Sequence, residues 1–163
     1  MAFTLVLLRH AKSAYPTGVP DHDRPLNLRG RTDAPAAGRA IRQAVGFIET
    51  ALVSTATRAQ QTWDLSGVQA GAKQDRSDLY LASWVDMLDV VRTVNAPSAI
   101  VVAHNPGTED LAARLAADSG SAEYQRMLVK FPTAAFAVLR ADVPFARWDS
   151  DCARLVSFEV ARG

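Results

Sequence analysis

The strongest constraint on this chain is a rhythm of short apolar runs, each followed by a stretch with helical spacing. "FTLVLL" (3–8), "TALVS" (50–54) and "SAIVVA" (98–103) are nearly continuous in apolar residues. Such strands need cover on both faces, as parallel strands joined by helical crossovers have. "AAFAVLRA" (134–141) reads as a fourth strand, and "ARLVSFEV" (153–160) alternates as an antiparallel edge strand does. Helices are expected over 28–48 after the N-cap Asn27, over 58–66, over 83–94 from Ser83, over 107–117 and over 121–130 from Ser121. Thr57 and Gln60 have the spacing of a capping box before the second helix. Pro35 lies early in the first helix and leaves its start open. The expected fold is a three-layer α/β/α sandwich with a mainly parallel central sheet and one antiparallel edge strand. At 163 residues, one domain over 1–163 is expected.

In sheets of this kind a ligand lies outside the carboxyl ends of the strands. Three such ends read "RHAKS", "STATRAQQT" and "AHNPG". They carry Arg9 and His10, Arg58, and His104. Phosphoryl transfer through a histidine needs this set: one imidazole to attack phosphorus, guanidinium groups to clamp the oxygens, and a second imidazole to donate a hydrogen bond. Arg58 stands at the start of a helix, where the macrodipole disfavours a cation by roughly 0.3–1 kcal/mol unless an anion reverses the sign. In "HNPG", Pro106 suits a first helical turn and Gly107 permits close backbone approach. Each residue alone has a plainer reading: a surface Arg-His pair, a solvated helix-end charge, a satisfied strand-end histidine. Their coincidence at three strand ends favours a site.

The rest of the composition narrows the partners. Net charge is +1, so nothing global points to nucleic acid or an anionic membrane, and anion binding has to be local. Cys152 is alone and suits packing. "FTLVLL" is too short to span a membrane, and a cytoplasmic protein is the expectation. Arg24, Arg29 and Arg31 read either as a basic rim for a phosphorylated partner or as scaffolding paired with Asp21 and Asp23. The scaffolding role suits Arg29 and Arg31, and Arg24 is even. Lys12 reads as a solvated side chain, and Trp63, Trp84 and Trp148 as packing. A metal-dependent hydrolase using His10, His104 and "DHD" (21–23) is a rival, although two arginines beside a metal would be redundant charge. A serine hydrolase lacks its G-x-S-x-G elbow.

"LLRHAKS", "DRPLNLRGR" (23–31), "STATRAQQT" (54–62), "LYLA" (79–82) and "AHNPG" (103–107), in this order, resemble the histidine phosphatase (phosphoglycerate mutase-like) superfamily. "RHAKS", "RPL", "RGR" and "HNPG" together resemble its short SixA-type phosphohistidine phosphatases. The resemblance spans residue 5 to about residue 140. It implies that His10 is the nucleophile, that Arg9 and Arg58 bind the phosphoryl oxygens and that His104 completes the pocket. It implies no metal or other cofactor. His10 then needs one ring nitrogen held by a nearby backbone acceptor. Ser13 and Asn105 are expected to add phosphate contacts. Two positions depart from the family. Pro16 stands where larger members place an asparagine, and Tyr80 stands where alkyl-phosphate phosphatases place an acidic glutamate, with Asp78 two residues away.

The expected activity is metal-independent hydrolysis of phosphohistidine on a protein through a phosphohistidine intermediate. The alternatives are a small-molecule phosphomonoesterase of the same superfamily and a non-catalytic phosphoprotein-binding module. A mutase is disfavoured by the absence of an enclosing lid and of the acid. The expected partner is a phosphorylated protein or small phosphorylated substrate, without nucleic acid or membrane. The sequence leaves the oligomeric state open.

Overall fold

A computed structural model of the chain describes residues 1–163. Its elements run β1 (Phe3–Arg9), α1 (Leu28–Val45), β2 (Ile48–Ser54), α2 (Thr57–Ser66), β3 (Ala70–Arg76), α3 (Trp84–Arg92), β4 (Ser98–Ala103), α4 (Gly107–Leu115), α5 (Ala122–Val129), β5 (Ala135–Ala141) and β6 (Arg154–Val160). Short 3-10 turns occur at Asp21–Asp23, Ser77–Leu79 and Phe145–Arg147.

The sheet has the order β3-β2-β4-β1-β5-β6. β1 to β4 are mutually parallel, and β5 joins β1 antiparallel. β6 is the far edge, paired antiparallel with β5. The mainly parallel sheet with an antiparallel edge pairing is therefore as the sequence led one to expect. The continuous apolar runs explain why the central strands are covered twice. Leu5 and Leu7 enter one core with Leu52, Val101, Leu139 and residues of α3, α4 and α5. Val6 and Leu8 enter the other with Val53, Val102, Val138 and residues of α1 and α2. Successive side chains of one strand thus feed opposite layers. No helix is long and apolar enough to cross a membrane.

Three caps follow the sequence. Asn27, Ser83 and Ser121 side chains accept hydrogen bonds from the amides of Gly30, Asp86 and Tyr124. Other expectations are corrected. α1 stops at Val45, not residue 48, because Gly46 takes φ 68 and Ile48 already begins β2. Thr57 is inside α2, whose N-cap is Ala56, so no capping box forms. Gln60 instead donates to the Ser54 carbonyl and to Asp75. β3 has no apolar periodicity, since most of its side chains are exposed, and pairing with β2 alone makes it a strand. α1 passes through Pro35 without ending.

Two glycines allow the helices to close on their neighbours. A Cβ on Gly38 would lie 1.8 Å from the Ser66 carbonyl oxygen, and one on Gly107 would lie 2.2 Å from that of Ala82. Close approach of α1 to the end of α2, and of α4 to the loop before α3, therefore requires residues without side chains.

Candidate active site

Strand register brings the histidines together. Arg9 of β1 lies opposite Ala103 of β4, and the His10 amide donates to the Ala103 carbonyl at 3.0 Å. His10 and His104 are the next residues on these neighbouring strands, and their ring centroids are 5.1 Å apart. Val53 of β2 lies opposite Val102, which sets Ser54 beside the end of β4 on its other flank. Arg58 reaches in from the first turn of α2 and is 2% exposed.

A hollow of about 270 Å³ lies over these strand ends, lined by Arg9, His10, Tyr15, Asp21, Arg24, Arg58, Leu81, His104 and Asn105. A larger recess of about 470 Å³ beside Cys152, Arg140 and Arg154 contains none of the strand-end residues. The smaller one is lined by residues that carry unpaired polar atoms. Four buried side-chain polar atoms in the molecule lack a partner, and three of them are Arg9 Nε, Arg58 Nε and His104 Nδ1. Buried donors are rarely left unsatisfied without a reason.

The geometry gives each group a definite state. His10 Nδ1 hydrogen-bonds the Ala11 carbonyl oxygen at 2.7 Å. A carbonyl only accepts, so Nδ1 carries the hydrogen and Nε2 keeps its lone pair. This is the nearby backbone acceptor that a nucleophilic histidine requires. Burial, opposed by that carbonyl and reinforced by His104, Arg58 and Arg9, lowers the His10 pKa to about 3. Burial and then Arg58 lower His104 to about 3 as well. Both rings are neutral at pH 7.

The sign of the linkage is clear. An unfolded histidine protonates near pH 6.5, whereas these two protonate near 3 when folded. Their contribution to stability is complete above about pH 6.5 and falls as the pH drops toward 3. For a histidine titrating alone the loss is about 2 kcal/mol between pH 6.5 and 5. The urea midpoint is expected to fall between pH 7 and 5, and less steeply in a His10→Ala, His104→Ala double variant. Equal slopes for the two proteins would refute this origin.

Segments distant in sequence hold the site. Arg9 Nη1 donates to the Phe131 carbonyl at 3.0 Å, and Asn105 Nδ2 donates to the same oxygen at 2.9 Å. The Ala134 amide, from a residue at φ 64, donates to the Arg9 and His10 carbonyls at 3.1 Å each. Thr62 of α2 accepts from the Ala11 amide at 2.9 Å. Gly30 lets α1 approach, since a Cβ there would lie 2.1 Å from the Lys12 carbonyl oxygen.

Not every anticipated residue reaches the wall. Ser13 is buried behind it, where its hydroxyl accepts from Arg24 Nη1 at 2.6 Å. Asn105 is in the wall, but its amide is committed to Phe131 and its oxygen accepts from the Glu109 amide at 3.2 Å. Arg24 belongs to the wall, stacks 4.0 Å over the Tyr15 ring and pairs with Asp21 at 3.1 Å. Arg29 pairs with Asp33 in its own helix instead of with Asp21 or Asp23. The Asp78 carboxylate is held by Arg76. His22 bonds Thr55 Oγ1 at 2.9 Å and stands edge-on to Tyr80. No three His, Cys, Asp or Glu side chains cluster closely enough to hold a metal ion.

Asp21, expected as a partner of Arg24, also holds Arg58. Arg58 Nη1 donates to its backbone oxygen at 2.7 Å and Nη2 to its carboxylate at 3.1 Å. The Tyr80 hydroxyl donates to the same carboxylate. The Tyr80 bond, then Arg58 and Arg24, hold Asp21 well below the usual carboxylate range. Asp21 in turn raises the Tyr80 phenol. "DHD" in a loop has no period, so sequence alone gave no reason to bring it to Arg58.

Known proteins resemble this chain in sequence and in fold. The model of the histidine phosphatase superfamily (branch 1) matches residues 5–78. An uncharacterised protein of Mycobacterium tuberculosis is 42% identical over 159 residues, 95% of this chain and 100% of that one. A candidate phosphohistidine phosphatase SixA from Nakamurella multipartitia superposes with TM-score 0.88 at 30% identity, over 98% of this chain and 96% of that one. A candidate SixA from Agrobacterium tumefaciens gives 0.75 at 27% identity, over 96% and 97%.

Proposed function

Since the chain belongs to the histidine phosphatase superfamily, in its SixA-type branch, we propose that it hydrolyses phosphohistidine on a protein, with His10 as the nucleophile. The observation that carries this is that Arg9, Arg58 and His104, each with a buried nitrogen that lacks a partner, line one hollow with His10, whose Nδ1 is held by a carbonyl and whose Nε2 keeps its lone pair. Those donors suit the equatorial oxygens of a transferring phosphoryl group, and the lone pair suits its phosphorus.

In the first step, His10 Nε2 donates its pair to phosphorus and the substrate P–N bond breaks. The bonding pair stays on the leaving nitrogen. In the second step, water attacks phosphorus, the P–Nε2 bond breaks, and inorganic phosphate leaves with His10 regenerated. A phosphoimidazole that arrives protonated on its other ring nitrogen leaves as neutral imidazole and needs no acid from the enzyme. An alkyl phosphate leaves as an alkoxide, where a positioned acid is worth about 10²–10⁴ in rate.

The pocket's titratable groups favour the P–N bond. Asp21 is ionised, Tyr80 is raised further from neutrality, and both histidines are unprotonated. None is an acid poised near pH 7. Tyr15 and Leu81 in the pocket wall are 75% and 58% exposed, so the mouth is open to a side chain presented by another protein.

The test is turnover of a phosphohistidine protein or peptide against alkyl phosphate monoesters at pH 7. Phosphohistidine is expected to be cleaved at least about 10²-fold faster. Faster cleavage of the alkyl esters would overturn the substrate assignment while leaving the nucleophile in place.

A further inference from the structure

We propose that Ser54 is a positioning residue that fixes His104 as the Nδ1–H tautomer, making this neutral imidazole a hydrogen-bond donor to the phosphoryl group. The inference rests on the phosphate-site reading for its functional part only. The tautomer itself follows from hydrogen-bond accounting.

His104 Nε2 and Ser54 Oγ are 2.7 Å apart, and both residues are buried, at 2% and 0% exposure. The Ala56 amide donates to Ser54 Oγ at 3.3 Å, and no other group bonds that hydroxyl. Two arrangements are possible. If Nε2 carried the hydrogen, Ser54 Oγ would accept twice and its own proton would be buried without an acceptor. His104 Nδ1 would then be a bare lone pair, which repels a phosphoryl oxygen. If Ser54 donates to Nε2, its proton is satisfied and its oxygen still accepts from Ala56. Nδ1 then carries the hydrogen and is the one polar atom of the ring without a partner. Leaving a buried donor or acceptor unsatisfied is costly, so the second arrangement wins by the whole hydroxyl proton.

The two histidines of the pocket are thus set by different devices toward opposite roles. A carbonyl takes the proton side of His10 and leaves it an attacking lone pair. A hydroxyl gives its proton to His104 and leaves it a donor. Register makes this possible, since Ser54 ends β2 and His104 directly follows β4, the adjacent parallel strand.

Long-range ¹H–¹⁵N spectra of the histidine rings in the full chain at pH 7 test the assignment. His104 is expected to be protonated at Nδ1 in the wild type. In Ser54→Ala it is expected to become a mixture or the Nε2–H form, and inhibition by inorganic phosphate is expected to weaken about tenfold. A merely structural serine would lower stability and leave the tautomer unchanged. A wild-type His104 protonated at Nε2 overturns the proposal, as does a Ser54→Ala spectrum with Nδ1–H and unaltered phosphate inhibition. If Ser54→Ala does not fold, the wild-type spectrum decides. Should phosphate fail to inhibit even the wild type, the site reading falls and with it the functional half of the proposal.

Discussion

Replacement of His10 by alanine is expected to lower phosphohistidine turnover by about 10⁴–10⁶-fold and to abolish trapping of labelled phosphate on the protein. The large range reflects what remains. Arg9, Arg58 and His104 would still bind the phosphoryl group and polarise it toward water, but the covalent route would be gone. The backbone has little reason to change, because the His10 side chain makes one hydrogen bond, to Ala11, and what is otherwise lost is packing of its buried ring against His104. Its backbone bonds to Ala103 and Ala134 are retained by alanine. Rapid-quench labelling at pH 7 is the measurement. Labelled phosphate still trapped in His10→Ala would move the nucleophile elsewhere. An unlabelled wild type that binds phosphohistidine without turning it over would instead make the protein a binding module.

The second large effect concerns Arg58. Arg58→Ala is expected to reduce kcat/KM by about 10²–10³-fold, with most of the loss in kcat, because the guanidinium matches charge on the oxygens best as the phosphoryl group transfers. Arg58→Lys is expected to recover little. Lysine has no Nε–H donor corresponding to the one Arg58 leaves free, and its ammonium cannot grip both the Asp21 backbone oxygen and its carboxylate in one plane. Asp21 would keep Arg24 and Tyr80 as partners but lose the planar grip of Arg58. Wild-type kcat/KM in Arg58→Lys would show that charge suffices and that the planar fork is irrelevant.

The sequence made the strand ends legible because two general constraints meet there. Unbroken apolar runs force a doubly covered parallel sheet, and such sheets place ligands beyond their carboxyl ends. Arg9, His10 and His104 follow from that logic, and so does the entry of Arg58 from the helix after β2. What remained hidden has a common cause. Asp21 meets Arg58 across 37 residues and Tyr80 across 59, through a loop with no period to reveal where it packs. Ser54 looked like one more strand residue, and its contact with His104 appears only once register is known. β3 escaped notice because an exposed edge strand needs no apolar face. The Thr57–Gln60 capping box failed because the helix starts one residue early, with Ala56 as its N-cap, and Gln60 bonds Ser54 and Asp75 instead.

The shared carbonyl of Phe131 bears on when the protein becomes competent during synthesis. It anchors Arg9 from 122 residues away and Asn105 from 26. The strand that carries Arg9 is therefore made well before the segment that orients its guanidinium. Contacts so remote in sequence form late in folding. A nascent chain ending before Phe131 carries all four strand-end residues but lacks the brace that aims Arg9 and the Ala134 amide that pins the backbone of His10. Alignment of Arg9 and His10 therefore waits on synthesis of the chain through Phe131 and Ala134.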